Sequence, residues 1–311
     1  MVAVIKKYSA RVLVWFSRMV GVSCGFLLGM ILTRTQKISM CAPVPKILLL
    51  YPRVQFMLYE FFQKFMQYLL RNEKDIWFTK EIYDGVTMHL DISQYSQRLF
   101  FIFKKYSPAI YNYILKNIKE GDTFFDIGAN AGYFSFIASK IVGVAGKVYS
   151  FEPEENNYKR MVDDISNNAL INIHAYKYAL SDTEGVVQLY INPDNEGGHS
   201  LVPDQNQITT PITSVIFDKW VHTAGVTHMR LAKIDVEGFE LSVLNGMENT
   251  LRNESSLELI CEVRRNQKVV GDYMSSLGYH TYELSANGTP IPVKDISKLK
   301  RDFLFSKKNY E

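Results

Sequence analysis

Cysteine is scarce in this chain: three among 311 residues, at Cys24, Cys41 and Cys261, with no spacing that would hold a metal. Three thiols cannot build a disulfide framework, so the sequence points to a reducing compartment. An excess of one charge is missing as well. The 35 basic and 32 acidic side chains leave a formal charge of +3, and the lysines are scattered, which excludes the electrostatic footprint of a nucleic-acid binder. Repeats and disorder-type composition are also absent. With 47% hydrophobic and 22% charged residues, the chain can bury one substantial core and still carry an appendage.

A long apolar run free of charge is lacking too. The longest, Val12 to Leu32, contains Arg18 near one end, is preceded by Lys6, Lys7 and Arg11, and is followed by Arg34 and Lys37. If Arg18 snorkels, the run reaches the roughly 20 residues that span a bilayer. Without that, only Met19 to Leu32 remains, a length that suits a signal h-region or an interfacial helix. No small-residue cleavage site follows, since the next residues are Thr33, Arg34 and Thr35, so we read residues 12–32 as an uncleaved membrane anchor. Basic residues on both sides leave its orientation open. Beyond a linker at Cys41 to Pro45, Lys46 to Arg71 carries Leu50, Val54, Met57, Leu58, Phe61, Phe65 and Leu69 as one helical stripe, read as a helix packed on the main domain. We therefore expect a hydrophobic segment and linker over 1–45, a helix and hairpin extension over 46–105, and an α/β domain over 106–311.

What is present is concentrated in Thr123 to Pro153. Phe124 and Phe125 make a short apolar run ending in Asp126, and Gly128 and Gly132 bracket a tight turn. Phe134, Ile137, Ala138 and Ile141 follow at helical spacing until Gly143, and a second strand, Lys147 to Phe151, ends in Glu152 and Pro153. An acid at the tip of the second strand of such a unit contacts ribose hydroxyls. The nicotinamide fingerprint Gly-x-Gly-x-x-Gly fails at Asn130 and Tyr133. In its place stand Asp-x-Gly-x-x-x-Gly and a second acid.

Around this unit the spacing predicts a hairpin over Ile76 to Ile92, a helix over Tyr106 to Ile118, a helix over Glu154 to Asn168 and a strand over Ile171 to Tyr178. Ala179 to Asp182 reads as a loop. Val186 to Ile191 and Thr209 to Phe217 read as further strands around an inserted loop, Asn195 to Ser200. Arg230 to Val236 is the next core strand, Phe239 to Leu251 a helix, Leu257 to Val263 a strand, Gln267 to Leu277 a helix and Tyr279 to Leu284 a strand. Asn287 and Gly288 make a turn, and Asp302 to Ser306 is the last strand. Alternation of strands and helices predicts a Rossmann-like, mostly parallel, seven-stranded α/β sheet.

With DIGANAGYFS, SFEP, ALSD and KIDVEGFELSVLNG in this order, the chain resembles the FkbM-type methyltransferases that depend on S-adenosylmethionine (SAM), over roughly Tyr106 to Ser306. The resemblance implies a class I methyltransferase fold, SAM as cofactor, and methyl transfer to a hydroxyl of a sugar, glycolipid or related metabolite. It places Asp126, Gly128, Asn130 and Gly132 on the methionine side, Glu152 on the ribose, and Ser181 and Asp182 beside the adenine. Asp182 also reads as a plain turn residue before Gly185. Ser107 stands where the family often has an acid before the proline. Because SAM is made in the cytosol, the domain is expected to face it, anchored at a membrane or cytoplasmic.

Asp235, at the end of its strand, is the first candidate for a catalytic base, and His199, in the Gly197 and Gly198 loop, is the second. Glu237 lies beside Asp235, where it also suits a helix start. No metal is expected; Asp235, Glu237 and Glu262 are the oxygen ligands that would hold one. The competing readings are a nicotinamide-dependent oxidoreductase and a non-catalytic membrane adaptor on the same fold.

Overall fold

Thr123–Ile127 (β3) is buried at every position, as a parallel strand covered on both faces must be. That is why TFFDI is a continuous apolar run instead of an alternation. It pairs in parallel with Lys147–Phe151 (β4) on one side and Leu231–Ile234 (β9) on the other, Phe125 lying between Tyr149 and Ala232. Outward from β4 comes Ile173–Tyr176 (β5), and outward from β9 comes Glu258–Val263 (β10), both parallel. Arg301–Ser306 (β13) runs antiparallel between β10 and His280–Leu284 (β11).

The computed structural model describes residues 76–102, 106–192, 198–202, 208–297, 299 and 301–310. The expected anchor over 12–32 and the amphipathic helix over 46–71 lie outside the described residues. Among the described residues, no helix is long and apolar enough to cross a membrane.

The sheet has eight strands among the described residues, not the expected seven, in the order β12-β11-β13-β10-β9-β3-β4-β5. The extra one, Pro290–Pro292 (β12), is an edge strand of three residues paired to β11. Its two prolines read as loop in sequence and are tolerated only because an edge strand needs no donors on its outer side.

Helices cover the sheet. Pro108–Asn117 (α2) starts on Pro108, with Ser107 as its cap in the left-handed region at φ 40°. Tyr133–Val142 (α3) and Glu155–Asn167 (α4) follow β3 and β4, and Glu154 caps α4 by accepting the Asn157 N–H at 2.8 Å. The hairpin Trp77–Tyr83 (β1) and Val86–Asp91 (β2) lies against α3 and α4, and Tyr95–Ile102 (α1) follows it. Phe217–Ala224 (α5) brings Phe217 and Trp220 onto Phe125, at 5.3 Å and 6.4 Å between ring centroids. The expected helix over Phe239 to Leu251 is two, Glu240–Gly246 (α6) and Glu248–Asn253 (α7), broken at Met247. Gln267–Ser276 (α8) precedes β11.

A second, three-stranded sheet branches off after β5. Ala179–Ser181 (β6), expected as loop, pairs in parallel with Ile208–Ile216 (β8), which pairs antiparallel with Gly185–Ile191 (β7). Three residues are too few for a period to register in sequence. Between β7 and β8, Ser200 bridges to Tyr190, and His199, Ser200 and Leu201 line the cleft at the carboxyl ends of the main strands.

Candidate active site

The carboxyl ends of β3, β4, β9 and β10 open into one cleft, of about 1150 Å³ including its mouth, lined by Gly128, Asn130, Glu152, His199, Asp235, Glu237 and Glu262 among others. Open α/β sheets bind ligands at this edge. Gly128 leaves β3 at φ 78°. A Cβ there would lie 1.9 Å from the carbonyl oxygen of Asp235, so the position demands glycine because two strand ends touch.

Asn130, left-handed at φ 52°, donates its backbone N–H to Glu152 Oε2 at 2.8 Å, and Glu154 donates its own to Oε1 at 2.9 Å. Both Glu152 oxygens are thus aimed by backbone, and each keeps acceptor capacity. Burial, partly offset by those N–H groups, pushes its carboxyl up to about 7. A buried carboxylate with spare lone pairs beside a left-handed glycine turn fits the ribose end of SAM. Tyr178, Ala179 and Leu180 supply an apolar wall next to it.

Four of the sequence-derived cofactor residues do not line the cleft. Asp126 is buried beneath it, accepting the Ser135 hydroxyl on Oδ2 at 2.6 Å and facing Lys233 Nζ with Oδ1 at 4.0 Å. Gly132 caps α3 at φ 86°, and a Cβ there would meet the Phe136 ring at 2.8 Å. Ser181 is buried in β6, and Asp182 is exposed beyond it. The first pair shapes the loop from below, and the second lies outside the wall formed by Tyr178 to Leu180.

At the end of β9 the charges are tightly arranged. Lys233 Nζ, buried, donates to Asp235 Oδ2 at 3.1 Å and sits 5.4 Å from the centroid of the Phe134 ring. Burial works against the Lys233 charge, but Asp235 and Asp126 overcome it and raise the ammonium above its ordinary range. Burial likewise works against the Asp235 carboxylate. Lys233, a hydrogen bond with Glu262, and Arg264 outweigh it, so Asp235 is held below the usual carboxylate range. Glu262, by burial and the Asp235 charge, is pushed up to about 9. Of this hydrogen-bonded pair, the surroundings therefore favour the charge on Asp235 over Glu262.

Burial and Asp235 push Glu237 up to about 7. Its backbone is left-handed at φ 53°, in a tight turn with Gly238 at φ 98°. Asp235, Glu237 and Glu262 place oxygens within 4.8 Å of one another, the one set of potential metal ligands among the described residues. Arg264 already bridges two of them, at 3.2 Å to Glu237 and 2.9 Å to Glu262.

The remaining wall is aromatic: Tyr106 meets Phe100 edge-on at 4.6 Å, and Phe100 stacks on Tyr133 at 5.1 Å. Sequence reasoning missed Lys233, Arg264, Tyr106 and Ser200 as site residues. Lys233 precedes Asp235 by two residues on one strand, and Arg264 follows Glu262 by two, so the period of a strand places each pair on the same side. That signal was present.

An open, doubly covered α/β sheet with a buried acid and a glycine turn at one cleft is a nucleotide-cofactor architecture, and the charge cluster beside it supplies a place for a reacting group. Residues 126–284, just over half of the chain, match the methyltransferase FkbM domain. The chain belongs to the FkbM methyltransferase family, and SAM is its cofactor. It is 29% identical over 140 residues to the hexuronic acid methyltransferase AglP of Haloferax volcanii, covering 45% of this chain and 56% of that protein. With the methyltransferase sdnD of Sordaria araneosa the identity is 25% over 167 residues, covering 44% and 64%. The chain thus spans less than two thirds of either relative. A SAM-dependent methyltransferase of Aquifex aeolicus aligns with a TM-score of 0.36 and 18% identity, over 64% of this chain and 89% of that one.

Proposed function

We propose that the chain is an O-methyltransferase that acts on a hydroxyl of a sugar, glycolipid or related metabolite, with Asp235 as the base. One observation carries this reading: Asp235 shares a cleft with Gly128, Asn130 and Glu152, and Lys233 at 3.1 Å helps keep it charged. Bound SAM supplies a methyl group on a sulfonium. Glu152 and the loop after β3 hold and orient the nucleoside, and the Phe100, Tyr106 and Tyr133 rings keep water from that side. Alignment of donor and acceptor supplies about 7–11 kcal/mol of the barrier in a well-oriented site.

Asp235 accepts the hydroxyl proton as the oxygen becomes nucleophilic, a role worth roughly 10²- to 10⁴-fold. Its depressed basicity suits a proton that leaves late, in concert with transfer. Glu262, and Arg264, tied to Glu262 and Glu237, orient neighbouring oxygens of the acceptor. The relative named for hexuronic acid supports a sugar-class acceptor. A tether through residues 12–32, with the domain on the cytosolic side, belongs to the same proposal and is tested by fractionation with protease protection.

The test is methyl transfer from labelled SAM to a panel of hydroxylated glycans and lipids by the purified full chain. Transfer that yields an alkali-stable methyl ether is expected. SAM binding with no transfer to any hydroxyl would favour the adaptor reading, and binding of NAD in place of SAM would favour the oxidoreductase.

A further inference from the structure

Tyr106 is held on every side but one. Its backbone N–H donates to the Tyr133 hydroxyl at 3.1 Å. The next residue, Ser107, is left-handed at φ 40°, a conformation that residues other than glycine seldom adopt, and Pro108 then starts α2. The Tyr106 ring meets Phe100 edge-on at 4.6 Å and Tyr133 edge-on at 5.8 Å, and is tilted against Phe134 at 6.1 Å. Backbone, helix start and three rings together fix the side chain.

The hydroxyl is what these contacts leave over. Among the described residues no group hydrogen-bonds it, although Tyr106 is partly buried and lines the cleft together with Lys233, Asp235 and Glu262. A tyrosine O–H in such surroundings ordinarily has a partner. Keeping water out requires only the ring, and phenylalanine would pack the same way. The charges that act on the phenol are those of Asp235 foremost, then Lys233, Glu262 and Asp302, the last opposite Glu262 in the pairing of β10 with β13. Burial first, and then Asp235, pushes the phenol above its ordinary range. It therefore stays protonated and is a donor.

We infer that the Tyr106 hydroxyl donates a hydrogen bond to an oxygen of the methyl acceptor next to the one that is methylated, and so selects acceptors with two neighbouring oxygens. The inference rests on the proposed O-methyltransferase reading and names a specificity residue for it. A donor on the reacting oxygen would draw off the electron pair that attacks the sulfonium methyl. The partner of Tyr106 is therefore a second oxygen, a hydroxyl or ring ether, as sugars provide. The carboxylate of SAM is a poorer match, because Asp235, Glu262 and Asp302 around the phenol repel an anion.

Two measurements test this on the full chain. The first is carbon-13 NMR of protein labelled at tyrosine Cζ, with the Tyr106 signal identified by its loss in Tyr106→Phe. Saturation with S-adenosylhomocysteine is expected to leave that signal in place, and methyl glucoside added to the same sample is expected to move it. A signal that moves with S-adenosylhomocysteine alone, or that methyl glucoside does not move, would overturn the inference, and neither readout requires turnover. The second is kinetics with methyl glucoside as the probe acceptor. Tyr106→Phe, which keeps the ring, is expected to raise KM roughly 3- to 10-fold, the worth of one hydrogen bond, with kcat, its pH profile and SAM affinity kept. If KM is kept and kcat falls by about 10²-fold or more, the phenol acts on the reacting oxygen and the inference is overturned. A loss confined to SAM affinity would overturn it as well, by assigning Tyr106 to the cofactor. Failure of methyl glucoside to react in the wild type bears on the O-methyltransferase reading, and the NMR result then decides the inference by itself.

Discussion

The carbonyl oxygen of Asp235 lies 1.9 Å from where a Cβ on Gly128 would sit. The glycine turn proposed to hold the cofactor and the strand end proposed to present the base are therefore packed directly on each other, further joined by the Asp235 N–H to the Ile127 carbonyl at 3.0 Å. Nothing larger than hydrogen fits between the two halves of the site.

Gly128→Ala should therefore cost both stability and SAM binding. The overlap is with backbone and cannot be relieved by a rotamer, and a left-handed alanine adds about 1–3 kcal/mol of strain. Gly278→Ala is the control, because Gly278 has φ 83° but no atom within 4 Å of its Cβ. Thermal melts should show Gly128→Ala falling clearly below Gly278→Ala. Equal melting temperatures would mean the strand ends do not meet.

SAM affinity should rise with pH. Burial leaves Glu152 near 7 against an ordinary 4.5, and a carboxylate accepts ribose hydroxyls better than a protonated acid does. Calorimetric titrations are expected to tighten between pH 6 and pH 8, with the dependence lost in Glu152→Gln. The linked effect on folding has the opposite sign from a salt-bridged acid. With its folded pKa above the unfolded value, this group favours the ligand-free fold most below about 4.5, and that contribution, on the order of 3 kcal/mol at 1.36 per unit, is lost as pH rises towards about 7. Urea midpoints of wild type and Glu152→Gln, compared from pH 5 to pH 8, check it.

The strand, turn, helix and strand from Thr123 to Glu152 were legible because each carries its own punctuation: Gly128 and Gly132, Gly143, Pro153. The terminal acids were legible because a charged residue ends an otherwise apolar run. The purpose of the glycines was not. Gly128 looked like space for a ligand, and it is space for the Asp235 backbone, a contact between residues far apart in sequence that no local pattern carries. The eighth strand hid behind Pro290 and Pro292, and β6 behind its brevity. Ser181 and Asp182 were placed by motif order alone, and the wall of the cleft falls one step earlier, at Tyr178 to Leu180.

Lys233→Met should move the acidic limb of the kcat profile. Lys233 is the foremost of the groups that overcome burial to keep Asp235 low, since an opposite charge at this range favours the ionised carboxyl. Its removal raises the Asp235 pKa, so activity should fail at a higher pH than in the wild type. An unmoved limb would mean that another group titrates.

Metal removal should leave turnover intact. Arg264 already neutralises the Glu237 and Glu262 carboxylates, at 3.2 Å and 2.9 Å. Extensive dialysis against EDTA, followed by the labelled-SAM assay, is expected to give the original rate. A loss that Mg²⁺ restores would show that Arg264 swings away and the three acids hold a cation.

The central claim, that Asp235 takes the proton of the acceptor hydroxyl, is met most directly by Asp235→Asn. Asparagine keeps the shape and still accepts a hydrogen bond through its carbonyl, but it cannot take a proton at neutral pH. Single-turnover methyl transfer should slow by about 10²- to 10⁴-fold while the SAM dissociation constant stays within a few-fold of wild type. A near-normal transfer rate would contradict the account, as would a loss confined to SAM binding.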